Sequence, residues 1–355
     1  MMKIAFLAAA NSPHTVKWAN VFVQDNDVTV YSMPDHKDEQ NEMSDKVKVV
    51  YLPYAQTQNG CKKNAAQLNS YLNAENFDVV NAIDAANYGY LAAKAKAAHV
   101  LLTVLGPDVY ASVDYGKKGL ILKSIKHANA VLAAAPNVIT RVKSIFKKEK
   151  QYFVAPFGVD MEKFIHKEVP KDADKIVFGS IKPLEYVNRV DLTIDAFSKF
   201  LQQSVKDATL KIAGDGTLLA GLKQKVQDMG IADKVEFLGH IKTQDMPDVI
   251  NSMDAIIQMG SAEAFGVCGV ESMACGVAVI SSDTVGASEY ILNGVTGYLV
   301  KVNNTDAAST CMVELARGND ARIRMGQKAR QDVEELFNIE KCKQKYDKAL
   351  IAASK

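Results

Sequence analysis

Cysteine is scarce in this sequence, and its few copies are not arranged for a shared task. There are five, an odd number, and none stands in a Cys-x-x-Cys pattern or beside a histidine cluster. A structural zinc site needs such spacing, and a complete disulfide framework needs an even number. We therefore expect reduced, mostly packed thiols and no metal site at Cys61, Cys268, Cys275, Cys311 and Cys342.

An excess of charge and a long apolar run are also missing. Lys and Arg total 42 and Asp and Glu total 41, giving a net charge of +1, so bulk charge does not indicate nucleic acid as a partner. No apolar run reaches the roughly 18 residues of a membrane span. The largely apolar start is interrupted at Asn11. We interpret it as a first buried strand rather than a signal peptide, and we expect a cytoplasmic protein.

What the sequence does contain is a regular alternation of strand and helix patterns along 355 residues, a length typical of two domains. Short apolar runs such as Lys3–Ala8 and Val100–Val104 alternate with helix-length stretches such as Cys61–Asn76. This rhythm predicts βαβ units, because parallel strands need a crossover connection. It pauses over residues 156–175, where prolines, a glycine and charges are typical of a linker, and then resumes.

The alternation predicts an α/β protein built from two Rossmann-like, doubly wound parallel-sheet domains that face each other across a cleft. The expected boundaries are 1–165 for the first domain, 166–335 for the second, and 336–355 for a C-terminal helix. Sheets of this kind bind ligands at the carboxyl ends of their strands. The candidate site residues should therefore lie in the loops that follow the strands.

The most informative loop lies in the stretch Gly260–Gly276, which follows an apolar strand. Glu263 precedes the predicted helix, Glu271 lies about a turn inside it, and Gly266 and Gly269 flank its start. The first backbone N–H groups of a helix lack internal partners and attract anions such as a diphosphate. The two glycines add no side-chain bulk, so we expect a ligand to approach the backbone there.

The two glutamates suit a nucleotide sugar. Carboxylates bind hydroxyl groups through charge-assisted hydrogen bonds, which are about twice as strong as neutral ones. The pattern predicts a ribose at Glu271, a diphosphate at the helix start and a hexose at Glu263. Two solvated surface carboxylates are the alternative on spacing alone. Gly214-Asp-Gly216 lacks the third glycine of a dinucleotide fingerprint, since position 219 is Leu, so a nicotinamide cofactor is rejected.

In this context the sequence resembles the retaining glycosyltransferases of family 4, which have the two-Rossmann GT-B fold. The Glu-x7-Glu arrangement is that family's hallmark, and several flanking blocks resemble the family in the same order. These blocks are Pro156–Asp160 with Phe164, Lys211–Gly216, Val235–His240, Gly286–Glu289 and Asn293–Leu299. The resemblance covers almost all of the second domain and, more weakly, the first. It also implies that the C-terminal helix packs back on the first domain.

The resemblance implies a set of donor-binding residues in the second domain. They are Glu263, Ala264, Phe265, Gly266, Val267, Glu271, His240 and Ile241. Family members also place two cations on the diphosphate after an earlier strand, and Lys182 fits the first of these positions. The second has no lysine here, and Arg189 is the nearest cation. With Glu263, these two form the expected catalytic set, although Arg189 also suits a surface position at a helix start.

The first domain offers a smaller set of candidates. Asn11, Ser12 and His14 follow the first strand, and we expect them to line the acceptor side of the cleft. A locally satisfied structural histidine is the alternative for His14. Asp108 follows another strand, but Leu105 stands where many family members have a histidine. Asp108 is therefore a cleft candidate or a turn-capping residue.

Basic residues concentrate between residues 117 and 150, where nine Lys and Arg face a single Glu. Such a segment could sit on an anionic bilayer, at about 1 kcal/mol per well-placed cation. It could also attract an acceptor that carries a diphosphate. Several separate solvated faces are the third possibility, because clustering along the chain does not prove a patch.

Taken together, these features predict a retaining hexosyltransferase that uses a nucleoside-diphosphate sugar, UDP ahead of GDP. The expected acceptor is a glycan or lipid-linked glycan, in cell-surface polysaccharide biosynthesis. No cofactor and no metal are expected, and peripheral association with the inner face of the membrane is one option. Two alternatives stay open, a non-catalytic glycosyltransferase-like binding or scaffold protein and a sugar-nucleotide epimerase.

Overall fold

The computed structural model describes residues 1–37, 42–169, 172, 174–203 and 206–355. The chain forms two compact units. The first comprises Met1–Phe157 together with Glu340–Lys355, and the second comprises Gly158–Ile339. The predicted boundary at 165/166 falls within the second unit, in which Val159 also pairs with Asn338. Residues 170, 171 and 173 of the predicted linker lie outside the described part of the chain.

The first unit is a parallel sheet whose described strands run in the order β3-β2-β1-β4-β5-β6-β7. Strands β4 and β5 are buried along their whole length, as expected for a sheet that helices cover on both faces. The strands are β1 (Lys3–Leu7), β2 (Asp27–Ser32), β3 (Lys48–Tyr51), β4 (Val79–Ile83), β5 (Val100–Val104), β6 (Ala130–Ala133) and β7 (Gln151–Val154). The helices are α1 (Pro13–Phe22), α2 (Gln58–Glu75), α3 (Tyr88–Ala95), α4 (Lys118–His127) and α5 (Pro136–Ile145).

The second unit is also a parallel sheet, with its described strands in the order β10-β9-β8-β11-β12-β13. Its core includes the rings of Phe178, Phe197 and Phe200, which are fully buried and contact one another. The strands are β8 (Lys175–Ile181), β9 (Asp207–Ala213), β10 (Val235–Gly239), β11 (Ala255–Gln258), β12 (Ala278–Ser282) and β13 (Gly297–Val300). The helices are α6 (Val190–Gln203), α7 (Leu219–Asp228), α8 (Met246–Asn251), α9 (Val267–Ala274), α10 (Thr305–Arg317) and α11 (Asn319–Leu336).

The C-terminal helix α12 (Ile339–Ala353) returns to the first unit. Its Tyr346 ring lies 4.8 Å from the Trp18 ring and 5.1 Å from the Phe22 ring, between centroids. The Tyr346 hydroxyl accepts a hydrogen bond from Asn81 Nδ2 at 2.7 Å and lies 3.1 Å from Thr103 Oγ1. Because these polar partners are themselves buried, both the hydroxyl and the ring of Tyr346 hold α12 against the first unit.

Candidate functional site

Two neighbouring strands of the second unit bring the first pair of candidate residues together. Lys182 follows β8 and Glu263 lies in the loop that follows β11. In the sheet, β8 lies between β9 and β11, so the strand order reverses at this point. Ligands of doubly wound sheets bind beyond the carboxyl ends of strands at such a switch point. The topology therefore places Lys182 and Glu263 where a ligand is expected.

Lys182 and Glu263 form a salt bridge in which the Lys182 ammonium donates to a Glu263 carboxylate oxygen. Their side chains are only 7% and 18% exposed. Burial alone would lower the pKa of Lys182, but the charge of Glu263 and the hydrogen bond to its carboxylate outweigh burial and raise it. Lys182 therefore keeps its positive charge at the edge of the sheet, next to the negative charge of Glu263.

The thiol of Cys268 lies close enough to Lys182 and Glu263 for both charges to affect its pKa. Burial raises the pKa of Cys268 to about 11, with Lys182 acting in the opposite direction. A thiol with such a pKa stays protonated near neutral pH and is a poor nucleophile. Cys268 thus belongs to the packing of the site rather than to its chemistry.

The backbone of Lys182 is held by the turn after β9. Lys182 N–H donates to the Ala213 carbonyl at 3.1 Å, and a Cβ at Gly214 would lie 2.0 Å from the Lys182 carbonyl oxygen. Glu185 accepts hydrogen bonds from Thr217 through its backbone N–H at 3.0 Å and its hydroxyl at 2.7 Å. The glycine in this turn is therefore needed for close backbone contact with the loop that carries Lys182.

The loop that carries Glu263 is fixed in a similar way by the segment after β12. Gly286 N–H donates to the Glu263 carbonyl at 3.0 Å. A Cβ at Gly286 would lie 2.6 Å from both the Glu263 carbonyl oxygen and the Phe265 amide nitrogen. On the other side of the loop, Ser261 N–H donates to the Val187 carbonyl at 2.9 Å. These contacts hold the Glu263 loop with little freedom, as a preorganised site requires.

The start of α9 differs from the expectation in one respect. Gly266 precedes the helix with a φ of +99°, a left-handed conformation that suits glycine. The side of Gly266 and Gly269 that a side chain would occupy is filled by Tyr290, not left open for a ligand. A Cβ would lie 2.6 Å from the Tyr290 hydroxyl at Gly266 and 2.2 Å from it at Gly269. Both glycines are thus explained by Tyr290, a residue that the sequence analysis did not single out.

The remaining donor-side candidates lie at different depths. Phe265 is 4% exposed, with ring centroids 6.0 Å from Tyr290 and 5.6 Å from Phe337, so its ring is part of the core. Glu271 is partly buried on α9, and Ala264 and Val267 are also partly buried. His240 and Ile241 follow β10, which lies two strands from β8 in the sheet. That separation is about 10 Å at the usual strand spacing.

Arg189 directly precedes α6. Its guanidinium donates to both carboxylate oxygens of Asp191 at 3.0 Å and to Asn303 Oδ1 at 3.1 Å. Its backbone has a φ of +47°, the left-handed conformation. In this structure, then, Arg189 makes a bidentate ion pair at a helix start.

In the first unit, Asn11 and Ser12 follow β1, with Asn11 exposed and Ser12 partly buried. His14 is half-buried and stacks on Phe157, with ring centroids 4.0 Å apart. Burial, followed by the charge of Lys17, lowers the pKa of His14 to about 4. The imidazole is therefore neutral near pH 7.

Asp108 caps its own turn and also reaches the neighbouring strand end. Its carboxylate accepts hydrogen bonds from the N–H groups of Ala85 at 2.8 Å, Gly106 at 2.9 Å and Leu105 at 3.1 Å. Burial, and then the nearby charge of Asp84, raise the pKa of Asp108 to about 7. The sequence analysis missed Asp84, which follows β4 with a φ of +83°. Its position directly after an apolar strand was the available signal.

The cations of the basic segment 117–150 differ in their surroundings. Several members have partners of their own: Arg141 lies 3.7 Å from Asp114, Lys150 donates to the Lys126 carbonyl at 3.1 Å, and Lys123 and Lys143 lie over the rings of Tyr90 and Tyr152. Others are exposed, namely Lys117, Lys118, Lys126, Lys147 and Lys148. The exposed lysines lie near α4 and after α5.

Two absences can be stated for the described ranges. No helix among them combines the length and the hydrophobicity needed to cross a bilayer. Within the same ranges, no three His, Cys, Asp or Glu side chains come together in a way that could hold a metal ion. All five cysteines are free thiols, and Cys61, Cys275 and Cys342 are buried.

Comparison with solved structures shows which fold this chain adopts. A sucrose-phosphate synthase from Thermosynechococcus elongatus superposes with a TM-score of 0.82 at 16% identity, over 98% of both chains. The Anabaena protein HepE, solved with UDP and glucose, gives a TM-score of 0.80 at 19% identity, over 99% of this chain and 100% of HepE. Together with the two parallel sheets, these likenesses identify a fold of the GT-B glycosyltransferase type and confirm the predicted fold class.

Family models carry the identification further. Residues 161–332 match the model described as glycosyl transferases group 1, and residues 3–141 match the model described as glycosyl transferase 4-like. The two matches account for most of the chain, which therefore belongs to the family 4 type of glycosyltransferases. The predicted resemblance is thus confirmed.

Curated relatives show the range of this family. The N-acetyl-alpha-D-glucosaminyl L-malate synthase of Bacillus anthracis is 27% identical over 80% of this chain and 77% of its own length. A GDP-mannose-dependent phosphatidylinositol monomannoside mannosyltransferase of Corynebacterium glutamicum is 26% identical over 70% of this chain and 69% of its own. Their names differ in both donor and acceptor, so family membership leaves the substrates of this chain to be tested.

Proposed function

We propose that this glycosyltransferase transfers a hexosyl group from a UDP-sugar to a glycan or lipid-linked glycan, with retention of the anomeric configuration. The observation that carries the proposal is the buried salt bridge between Lys182 and Glu263 beside the amino end of α9. A cation and a helix amino end attract the diphosphate, and a carboxylate in the same place suits sugar hydroxyls. No cofactor or metal takes part in the proposed reaction.

The chemistry follows from where charge develops. As the glycosidic bond to the diphosphate breaks, negative charge grows on the leaving phosphate oxygens. Lys182 and the first N–H groups of α9 would stabilise that charge without rearrangement, because their positions are fixed beforehand. Glu263 would accept hydrogen bonds from the hexose, and Glu271 would accept them from the ribose. His240 and Ile241, some two strands away, would contact the base.

The second cation in the proposal is Arg189. In the structure it is engaged by Asp191 and Asn303, so it would have to exchange these partners for phosphate. Comparing Arg189→Ala with Lys182→Ala by steady-state kinetics tests this role. A phosphate ligand would lower kcat/KM in both variants, whereas a purely structural Arg189 would lower thermal stability and leave kcat/KM of the folded enzyme unchanged.

The acceptor side of the proposal rests on the first unit. Asn11, Ser12 and His14 follow β1 and Asp108 follows β5, so all four lie at the carboxyl edge of one sheet. The exposed lysines of segment 117–150 would bring this unit to an anionic membrane surface, on the inner face of the membrane. Sedimentation with anionic and with neutral vesicles tests the membrane part, and equal binding to both would contradict it.

The experiment that tests the main proposal is a ligand screen followed by product analysis. Thermal shift with UDP, GDP and ADP identifies the base, because a ligand that binds only the folded state raises the melting temperature. NMR of the reaction with the corresponding sugar nucleotide then reports the product anomer. An epimerised donor formed without acceptor would indicate an epimerase. Binding without hydrolysis or transfer would indicate a scaffold protein.

A further inference from the structure

Tyr290 lies against the start of α9, although it belongs to a different element. The side chain comes from the short turn after β12, yet its hydroxyl occupies the space beside the α-carbons of Gly266 and Gly269. At Gly269, a Cβ would also lie 2.7 Å and 2.8 Å from the ring atoms Cζ and Cε2 of Tyr290. Real Cβ atoms essentially never approach so closely, so an alanine at Gly269 would have to displace either the ring or the helix.

The ring has little room to move. Tyr290 is 5% exposed, and its ring packs on Phe265 with centroids 6.0 Å apart. Its hydroxyl donates to Gln258 Oε1 at 3.5 Å, at the carboxyl end of β11. Within the described chain, the other amide atom of Gln258, Nε2, is buried and has no hydrogen-bond partner. Burial, then Glu263 and Cys268, raise the pKa of Tyr290, so the hydroxyl stays protonated.

The same contacts link Tyr290 to the catalytic pair. A Cβ at Gly266 would lie 2.6 Å from the Tyr290 hydroxyl and 3.1 Å from the carboxyl carbon of Glu263. The space that glycine leaves at this position is therefore bordered by both Tyr290 and Glu263. Any shift of the ring would move the backbone that connects Glu263 to the first N–H groups of α9.

We propose that Tyr290 is a positioning residue that packs into the space left by Gly266 and Gly269 and sets the amino end of α9 relative to Glu263. The inference rests on the proposed function, in which that helix end binds the diphosphate. Tyr290 itself touches no reacting atom. It acts through the backbone, so its effect should fall on phosphate binding rather than on binding of the nucleoside.

The test compares Gly269→Ala with Gly221→Ala. Gly221 lies in α7, and a Cβ there would meet nothing within 4 Å, so this variant controls for the change of glycine to alanine. Titration calorimetry is performed with UDP and with uridine, or with GDP and guanosine if the wild type binds GDP. Gly269→Ala should weaken diphosphate binding at least tenfold and nucleoside binding less than twofold. Gly221→Ala should leave both unchanged.

The double variant Gly269→Ala/Tyr290→Leu tests whether removal of the ring restores diphosphate binding. Leucine removes the ring atoms that the new Cβ would meet, so the double variant should bind the diphosphate at least threefold more tightly than Gly269→Ala. If Gly269→Ala does not fold, Tyr290→Leu alone replaces it, with a loss of at least threefold for the diphosphate and none for the nucleoside. Equal losses for diphosphate and nucleoside, or a lower melting temperature with unchanged affinities, would overturn the proposal.

A failure of the proposed function looks different. In that case the wild type itself would show no binding of any nucleoside diphosphate, and the comparison between glycine variants would have no signal to measure. Wild-type binding together with an unaffected Gly269→Ala would leave the proposed function intact and remove only the role of Tyr290.

Discussion

The two sheets present opposite electrostatics at the same architectural position. At the carboxyl edge of the second sheet, Lys182 is paired with Glu263, and the ammonium group keeps its charge. At the carboxyl edge of the first sheet, Asp84 and Asp108 lie close together, and burial raises the pKa of both, although the charge of Lys117 acts on Asp84 in the opposite direction. Lys182 at the edge of the second sheet therefore stays charged, whereas burial favours the protonated forms of Asp84 and Asp108 at the edge of the first sheet.

The two sheets share one architecture and differ in the residues that follow their strands. Parallel sheets place loops at the same edge whatever their sequence, so the residues directly after the strands decide what the edge can bind. A fixed cation suits a leaving diphosphate. A pair of buried carboxyls suits hydroxyl groups, since a neutral carboxylic acid can donate a hydrogen bond as well as accept one.

Of the variants that test this comparison, Lys182→Ala should have the largest effect on activity. The variant removes the cation and leaves the Glu263 carboxylate partly buried without it. We expect kcat/KM for transfer to fall by about 100- to 1000-fold, as when one preorganised charge-stabilising group is lost. Lys234→Ala, which removes a partly buried lysine that pairs with Asp207 in the same unit, is the matched control. Comparable rates for the two variants would contradict the role of Lys182.

Glu271→Ala should have the next largest effect. If Glu271 accepts hydrogen bonds from the ribose, its loss should cost about 1.5–3 kcal/mol of donor binding, the range for hydrogen bonds to a charged group. Calorimetry with the nucleoside diphosphate measures this directly. Glu314→Ala, on α10 of the same unit, provides a comparison at a helix outside the candidate site. A donor affinity that does not change would exclude the ribose assignment.

The acidic edge predicts a dependence of stability on pH. The folded-state pKa of Asp108, about 7, is above its unfolded value, so the folded state favours the protonated form. The contribution of Asp108 to the free energy of unfolding should therefore be largest below about pH 4 and should decrease as the pH rises to about 7. Asp108→Asn should reduce that slope, by on the order of 2 kcal/mol across the window.

Urea unfolding at several pH values measures the slope, and Asp114→Asn is the control at an exposed carboxylate. Asp84 and Lys117 act on the same group of charges, so the double variant Asp84→Asn/Asp108→Asn should reduce the slope further. A slope that is the same in wild type and Asp108→Asn would contradict the proton-holding character of this edge.

The smallest effect is expected at His14, where the sign is reversed. Its folded-state pKa, about 4, lies below the ordinary value, so the folded state disfavours the charged imidazolium. Stability should fall as the pH decreases from about 6.5 to about 4, and His14→Phe should remove this loss, by on the order of 1 kcal/mol for a half-buried ring. Retention of the acid sensitivity in His14→Phe would assign it to another group.

Much of this arrangement could be predicted from the sequence, because the apolar periodicity locates the strands and the strand ends locate the loops. Lys182 and Glu263 are 81 residues apart, yet both follow apolar strands that neighbour each other. The glycines at the start of α9 were also identified from the sequence, but the packing that requires them was not. Gly269 and Tyr290 belong to different elements, and only packing in three dimensions shows that one makes room for the other.

Charge partners were harder to predict than strands. The sequence shows that Arg189 is near the right loop, but its positive φ and its bidentate pairing with Asp191 depend on local backbone geometry. Asp84 was missed because a single carboxylate after a strand is common. Its importance depends on Asp108, which follows the neighbouring strand and becomes close only when the sheet forms.

The return of α12 to the first unit has a consequence for how the protein is made. Tyr346 fills the space beside Trp18 and Phe22, so the first unit lacks part of its core until residues 340–353 have left the ribosome. We therefore expect the first unit to remain partly assembled while the second unit is synthesised. A nascent chain stalled before residue 340 should expose this surface to chaperones and proteases, and completion of α12 should end that exposure.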